Sequence, residues 1–446
     1  MSTDTQTTTS SFPPAHVHII GAGLGGLTLA RVLQLSNVPV TVYEREPSAT
    51  TRAQGGTLDL HTRTGQKALR IGGLYDQFDA QCSRLADAMI IRGKDGSIAF
   101  QDEPHEGGPS GEEQHPPPPA EEEGEEEHGG PPDGDRPEID RGALRQILLD
   151  SLKPGTIQWG HTLRSITPTQ TGAHQLVFEQ QLPSSTSTTT TTITAEFVVG
   201  ADGAWSRTRS VLSPAMPHYT GTSFIETELL DVDAQHPAIV ELVGDGTMSA
   251  LGEQKALIVQ RNSGGRMKVY LFLRAPESWL VDSKIPFDSD PQTTRTRLLE
   301  LLEGWSEGLR DILRVSEPKF IPRPVVCMDP EMKWEGKEGV TLLGDAAHVM
   351  SPFAGEGANL AMIDAAELGY ALAGKNVKGE EGAYVSVREA VGAYEKRMFA
   401  RAEVAAKESA SNMELFFSEL APACVADWMR EAMSVRASSF VVASVE

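Results

Sequence analysis

Short apolar runs and longer stretches of helical spacing alternate at the start of the chain. Residues 17–20 form a strand-like run that leads into a glycine-rich turn, and an apolar pattern of helical spacing follows as far as Leu35. Residues 40–43 form a second strand-like run that ends at Glu44. The order strand, helix, strand predicts a βαβ unit, in which a helix joins two parallel strands.

The pattern changes twice farther along the chain. Between about residues 215 and 325 strand-like runs dominate, among them 255–260 and 267–274, and a helical pattern follows at 293–302. An apolar strand-like run at 340–343 that leads into a glycine then resembles the start of the first unit, and helical patterns continue from about residue 382. We therefore expect a sheet-containing domain inserted into an α/β domain, followed by C-terminal helices.

A serine- and threonine-rich segment interrupts the middle of the first unit. Residues 184–194 are nearly all of these two types and lie between strand-like runs at 175–178 and 194–199. Because polar low-complexity segments are typical of loops, we expect an elaborated hairpin loop here.

Charge separates one segment from the rest of the chain. The 446 residues, enough for two or three domains of about 150 residues, carry a formal charge of −23. Residues 102–138 hold 14 acidic residues and one basic residue, so the other 409 residues carry −10. The segment has almost no apolar residue, which predicts a disordered acidic insertion. Such a charge disfavours nucleic acid and anionic lipid as partners.

Cysteine usage and hydropathy indicate a soluble, cytoplasmic protein. Cys82, Cys327 and Cys424 are far apart and in no metal-binding spacing, so we expect neither disulfides nor a metal. Residues 1–14 form a polar tail without the features of a signal peptide. No apolar run approaches the 18 residues or so that a membrane span requires.

The first turn carries a nucleotide-binding pattern. Gly21, Gly23 and Gly26 follow the spacing GxGxxG between a strand and a helix, where backbone N–H groups can approach a pyrophosphate. Glu44 ends the next strand, where a carboxylate accepts ribose hydroxyls and disfavours a 2′-phosphate. The pattern predicts FAD or NAD as the resident nucleotide; the alternative is a structural glycine turn.

A second constellation favours FAD. Asp345 closes a strand, where its carboxylate can bind a ribitol hydroxyl, and Pro352, Gly357 and Ala358 precede or open a helix. The positive end of that helix can stabilise the negative charge that develops at the flavin N1–C2=O edge on reduction. The alternative is a glycine-rich helix start packed on a sheet.

These motifs carry a family resemblance over nearly the whole chain. The chain resembles the single-component FAD-dependent aromatic hydroxylases of the para-hydroxybenzoate hydroxylase type in GxGxxG at 21–26, Ala-Asp-Gly at 201–203 and Gly-Asp-Ala-Ala-His at 344–348. It most resembles the tetracycline-inactivating flavin monooxygenases, in the strings at 52–61, 137–145 and 344–357. The fold class implied is α/β, a Rossmann-like FAD-binding domain with an inserted mixed-sheet substrate domain and C-terminal helices.

The resemblance assigns roles to single residues. It implies that Arg52 contacts the nicotinamide cofactor, that Asp59, Arg141 and Asp345 contact FAD, and that Asp202 lies near both. The expected cofactor-binding residues are Gly21, Gly23, Gly26, Glu44, Arg45, Arg52, Asp59, Arg141, Asp202, Asp345, Gly357 and Ala358. A salt bridge to Asp140 or Glu138 remains an alternative for Arg141, and a routine Asp-Gly turn for Asp202. His348 is expected to be a packed residue without a chemical role.

The pattern along the chain also gives domain bounds. They are a tail at 1–14, a first FAD-binding part at 15–214 that contains the insertion 102–138, a substrate-binding sheet domain at 215–325, a second FAD-binding part at 326–392 and a helical segment at 393–446.

The implied reaction needs no catalytic side chain and no metal. Tightly bound FAD accepts a hydride from transient NADPH, reacts with O₂ to a flavin C4a-hydroperoxide, and transfers one oxygen atom to an aromatic or polycyclic molecule. The expected substrate contacts are Glu226, Lys268, Tyr270 and Pro352. The first three replace an amide, an imidazole and a glycine of the tetracycline enzymes, so the resemblance implies the reaction but not the drug as substrate. We expect a phenolic or polyketide-like aromatic molecule instead. Exposed strand positions are the alternative for these three.

Other functions remain open. A halogenase, an epoxidase or a Baeyer–Villiger enzyme shares the fold, although the sequence lacks the WxWxIP string of halogenases. A flavin-containing binding protein could use the acidic segment to capture a basic partner or Ca²⁺, but residues 121–127 lack the spaced ligands and glycine turn of an ordered Ca²⁺ loop. The oligomeric state is open, and a monomer is plausible.

Overall fold

The computed structural model describes residues 12–51, 55–84, 88–102, 136–181 and 188–432. Residues 1–11 of the tail expected at 1–14, Arg52 and most of the acidic insertion therefore lie outside the described residues. The strands are β1 (Val17–Ile20), β2 (Val40–Tyr43), β3 (Thr57–Asp59), β4 (Met89–Gly93), β5 (Ile98–Gln101), β6 (Glu138–Asp140), β7 (Ile157–Gln158), β8 (His161–Pro168), β9 (His174–Gln181), β10 (Thr188–Ala195), β11 (Phe197–Gly200), β12 (His218–Leu229), β13 (Thr247–Gly252), β14 (Lys255–Asn262), β15 (Arg266–Arg274), β16 (Ile321–Cys327) and β17 (Val340–Leu342).

The helices begin with the one that follows the glycine-rich turn. They are α1 (Leu24–Leu35), α2 (Lys67–Ile71), α3 (Tyr75–Asp79), α4 (Arg141–Asp150), α5 (Arg209–Leu212), α6 (Val232–Gln235), α7 (Pro237–Val243), α8 (Trp279–Asp282), α9 (Pro291–Leu301), α10 (Glu307–Val315), α11 (Asp345–His348), α12 (Gly357–Leu372) and α13 (Val387–Phe416). Among the described residues, no helix combines the length and the apolar character that crossing a bilayer requires.

A five-stranded parallel sheet forms the centre of the nucleotide domain, in the order β17, β11, β1, β2, β7. Its inner strand β1 is buried on both faces, as is typical of parallel sheets: Val17 and Ile19 on one face and Ile20 on the other are at most 4% exposed. Helices α1 and α12 pack closely, since a Cβ on Gly369 would come within 2.6 Å of Val32. The expected α/β class with a Rossmann-like βαβ start is confirmed.

A seven-stranded mixed sheet forms the second unit, in the order β16, β12, β15, β14, β13, β4, β5. The β13–β4 pair is parallel and the others are antiparallel. Helices α7, α9 and α10 cover one face, with Leu257, Val269 and Ile312 in the core. The sheet also includes β4 and β5, which come before the range 215–325. Periodicity reveals a strand but not its partner, and Ile90 pairs with Met248 much farther along the chain.

The threonine-rich segment forms a strand in its second half, so the expectation of a loop at 184–194 is wrong there. Thr188–Ala195 pairs with β9 in an antiparallel sheet of β10, β9 and β8. Threonine is β-branched and fits a pleated, half-exposed surface, and this strand tendency outweighs the polar composition. Residues 182–187 are outside the described part of the chain.

Candidate functional site

The glycine-rich turn leaves open space at the amino end of α1. Gly21 has φ +107°, and a Cβ there would lie 2.3 Å from the carbonyl oxygen of Ala201. A Cβ on Gly26 would lie 2.1 Å from the Gly21 oxygen, whereas one on Gly23, which is exposed, would meet no atom within 4 Å. No side chain caps α1, so its first N–H groups remain available to an anion.

Glu44 lies buried at the end of β2, beside this turn. Its Oε2 accepts a hydrogen bond of 2.7 Å from the backbone N–H of Ala22, and its Oε1 accepts one of 2.9 Å from that of Glu46. Each carboxylate oxygen keeps a further lone pair, so both ribose hydroxyls of an adenosine could still donate to Glu44. The neighbouring Arg45 is exposed.

Asp345 follows β17, an edge strand of the five-stranded parallel sheet. The preceding Gly344 has φ +55°, which glycine adopts readily, and its N–H donates to Asp364. Asp345 is open to solvent, yet the surrounding protein raises the pKa of its carboxyl, against the lowering effects of His348 and Arg141. The carboxyl group of Asp345 is therefore accessible to a polar ligand.

The amino end of α12 borders the same region. Gly357 and Ala358 are half-buried, no side chain caps the helix, and a Cβ on Gly357 would meet nothing within 4 Å. This helix of 16 residues therefore presents free N–H groups and the positive end of its dipole. The open space and the donors fit a flavin edge that gains negative charge.

Asp59 packs against the loop that precedes α12. A Cβ on Gly355 would lie 3.4 Å from the Asp59 carboxylate, and His61 Nε2 lies 3.0 Å from its Oδ2. Burial alone would raise the pKa of Asp59, but the hydrogen bond from His61 and the charges of His61 and Arg136 lower it. Asp59 is therefore a carboxylate at neutral pH.

Arg141 begins α4 and lies between the nucleotide domain and the large sheet. Its backbone N–H donates to Gly56, and its charge lowers the pKa of both Asp345 and Tyr270. The neighbouring Asp140 accepts a hydrogen bond of 2.9 Å from Asn262. Arg141 is thus placed to bind a ligand that extends from Asp345 toward the sheet.

Asp202 is engaged by its own loop. Its Oδ1 accepts from the Ser206 hydroxyl at 2.6 Å, and its Oδ2 accepts from the backbone N–H groups of Arg207 and Thr208 at 2.8 and 3.2 Å. This arrangement favours the turn interpretation of Ala-Asp-Gly over direct cofactor contact.

The substrate candidates on the large sheet form an ion-pair network. Glu226 of β12 is directly opposite Tyr270 of β15. Lys268 lies 3.5 Å from Glu226 and 3.0 Å from Glu228, and Arg323 lies 3.2 Å from Glu226. The charges of Glu226 and Lys268 are therefore balanced within the protein. Pro352 is exposed and opens a 3₁₀ turn before α12.

A band of aromatic rings connects the sheet to that 3₁₀ turn, and the sequence motifs did not identify it. The Phe224 ring lies 6.0 Å from Tyr270 and 4.8 Å from Phe272. Phe353, beside Pro352, lies 5.3 Å from Phe272 and 5.4 Å from Phe416 at the end of α13. Phe224, Tyr270 and Phe353 are only partly buried.

Comparison with known proteins agrees with this geometry. A family model described as FAD binding domain matches residues 14–278 and 328–393. The monooxygenase asqM of Emericella nidulans is 30% identical over 459 residues, which cover 91% of this chain and 96% of asqM.

Two solved structures share the fold. HpxO of Klebsiella pneumoniae, in complex with FAD and uric acid, superposes with a TM-score of 0.69 at 18% identity, covering 95% of this chain and 94% of HpxO. The tetracycline destructase Tet(51) has a TM-score of 0.65 at 18% identity, covering 96% of this chain and 97% of its own. The resemblance deduced from the motifs is confirmed. This chain belongs to the FAD binding domain family and is an FAD-dependent monooxygenase.

Proposed function

We propose that the enzyme takes electrons from NADPH and inserts one oxygen atom of O₂ into a phenolic or polyketide-like aromatic molecule. The observation that carries this proposal is the aromatic band from Tyr270 through Phe224 and Phe272 to Phe353. Aromatic faces stack on flat rings in offset or edge-to-face geometry. The planar ligand uric acid in HpxO supports a flat substrate in this fold.

The residues of the nucleotide domain would hold FAD in an extended pose. The open turn at Gly23 would receive the pyrophosphate, Glu44 the adenosine ribose and Asp345 the ribityl chain. Arg141 would contact the cofactor on the side of the sheet. Bound FAD supplies the redox chemistry with O₂, and the protein supplies orientation and a charged environment. The uncapped amino end of α12 would stabilise negative charge at the flavin edge.

Tyr270 is the polar group best suited to orient the substrate. Burial and the negative charge of Glu226 raise the pKa of the Tyr270 phenol, so it stays protonated and can donate a hydrogen bond. Lys268 and Glu226, by contrast, neutralise each other. We therefore expect recognition by ring stacking and one phenolic donor. Phe416 and the end of α13 cover the aromatic band, which would limit the access of water.

NADPH as the electron donor is supported by the resemblance to single-component hydroxylases. The test is the oxidation of NADPH and NADH by the purified yellow protein, with and without a panel of phenols and polycyclic aromatics. We expect one compound class to accelerate NADPH oxidation and to gain one ¹⁸O atom from ¹⁸O₂. A protein that oxidises neither nucleotide with any compound, but turns over when a separate reductase is added, would contradict the single-component proposal.

A further inference from the structure

A buried histidine lies between two carboxylates beside the amino end of α12. His61 Nε2 is 3.0 Å from Oδ2 of Asp59, and His61 Nδ1 is 3.0 Å from Oε1 of Glu356. His61 itself is only 2% exposed. A neutral imidazole has one N–H and can donate to one acceptor, so two carboxylate partners are satisfied together only by the imidazolium.

A second connection joins the same two segments. Asn359, fully buried in the first turn of α12, accepts from the backbone N–H of His61 at 3.0 Å and from that of Gly65 at 3.2 Å. Its amide group donates to the carbonyls of Asp59 at 2.9 Å and Gly355 at 3.3 Å. A π-helical turn, Thr62–Gln66, follows His61 directly, and such turns are frequent at functional sites.

We propose that His61 is a positioning residue for the cofactor: its imidazolium links Asp59 of β3 to Glu356 and thereby fixes the amino end of α12 at the flavin site. The hydrogen bonds of Asn359 hold the backbone of residues 59–65 against the first turn of α12. The charged link through His61 holds the side chains of Asp59 and Glu356 in place. The inference depends on FAD binding alone and is independent of the electron donor and substrate proposed above.

The charges around His61 determine how the link responds to pH. Burial alone would lower its pKa, but the hydrogen bonds with Asp59 and Glu356 and the charge of Glu356 raise it to about 9, against the repulsion of Arg136. Within the described part of the chain, these three charged groups act on His61: Asp59 from β3, Glu356 from the loop before α12 and Arg136 from the segment before β6. The imidazolium therefore persists below pH 9 and is lost as the pH rises through about 9.

The test measures the dissociation constant of FAD by flavin fluorescence between pH 6 and 10, without NADPH or substrate. We expect the FAD dissociation constant of the wild type to be constant around neutral pH and to increase above about pH 9. His61→Gln should bind about tenfold more weakly at pH 7, as expected when hydrogen bonds to charged partners are lost. It should also lose the transition near pH 9. His174→Gln, at an equally buried histidine without a described carboxylate partner, should follow the wild type.

Glu356→Gln provides a second test if His61→Gln does not fold. The amide keeps the length and one acceptor oxygen but removes a negative charge, so it stabilises the imidazolium less. The transition in FAD affinity should therefore move to a lower pH. A His61→Gln protein with wild-type affinity at every pH, or a Glu356→Gln protein with an unchanged transition, would overturn the proposal.

Discussion

His348 and Asp364 form a buried pair in which the imidazole Nε2 lies 2.7 Å from the carboxylate Oδ2. The Asp364 side chain is 1% exposed. Asp364 also accepts from Arg401 of α13 at 3.0 Å and from the backbone N–H of Gly344 at 3.2 Å. One carboxylate thus ties the strand-end turn that presents Asp345 to α12 and α13. The sequence expectation that His348 is a packed, hydrogen-bonded residue agrees with this geometry.

Asp364→Ala should strongly destabilise the fold. The substitution removes the buried carboxylate that His348 and Arg401 share, and breaking such a buried pair costs about 3–5 kcal/mol. Urea unfolding of the purified protein measures this loss. Glu403→Ala is the control, because Glu403 pairs with Lys333 and Lys407 at the surface and should have little effect. Equal losses in the two variants would contradict the assigned role of Asp364.

The same pair predicts the pH dependence of stability. Burial alone would raise the pKa of Asp364, but His348 and Arg401 lower it, so its contribution is present above about pH 3.8 and is lost as the pH falls through its folded pKa. The pKa of His348 is raised, so its contribution is lost as the pH rises through its own folded pKa. Urea midpoints between pH 3 and 8 should fall more steeply on the acid side for the wild type than for Asp364→Asn. Parallel curves would refute the assignment.

Two glycines of the glycine-rich turn are expected to serve different purposes, Gly26 the stability of the fold and Gly23 the binding of FAD. Gly26→Ala would place a Cβ 2.1 Å from the Gly21 carbonyl and should destabilise the apoprotein by about 1–3 kcal/mol, as overpacking does. Gly23→Ala meets no protein atom within 4 Å and should leave apoprotein stability unchanged, but its methyl group fills space at the helix end and should weaken FAD binding about tenfold or more. Thermal unfolding without FAD and FAD titration distinguish the two effects.

Local chemistry made much of the nucleotide domain predictable. The run that begins at Gly21, the acid Glu44 at a strand end and the small residues that open α12 each combine a backbone requirement with a short, fixed spacing. Such patterns lie within about 25 residues of sequence and involve one turn or one helix end. The α/β class and the family followed from them, whereas the second sheet was predicted from the strand-like runs between about residues 215 and 325.

Long-range pairings were not predictable in the same way. His61 lies in a motif that the sequence singled out, but its partner Glu356 is 295 residues away, so one sequence cannot show the pair. The pairing of β4 with β13 is hidden for the same reason. The strand at Thr188–Ala195 was missed because composition suggested a loop, whereas β-branching and pairing with β9 decided the structure.

Tyr270→Phe tests whether the phenol orients the substrate. The variant keeps the ring in the aromatic band and removes only the hydroxyl, which a raised pKa keeps protonated. We expect KM for the aromatic substrate to rise about tenfold with kcat nearly unchanged, because a hydrogen bond made equally in the ground and transition states is lost. Steady-state NADPH oxidation measures both constants, and FAD titration should show no change.

Tyr219→Phe is the matched control for that experiment. The Tyr219 hydroxyl donates to the carbonyl of Ala275 at 2.8 Å and lies 3.0 Å from the Ser223 hydroxyl, so its hydrogen bonds are internal to the protein. Its loss should lower the free energy of unfolding by about 1 kcal/mol and leave KM unchanged. If Tyr270→Phe instead lowers stability and leaves KM unchanged, the hydroxyl serves the fold, and substrate recognition depends on ring stacking alone.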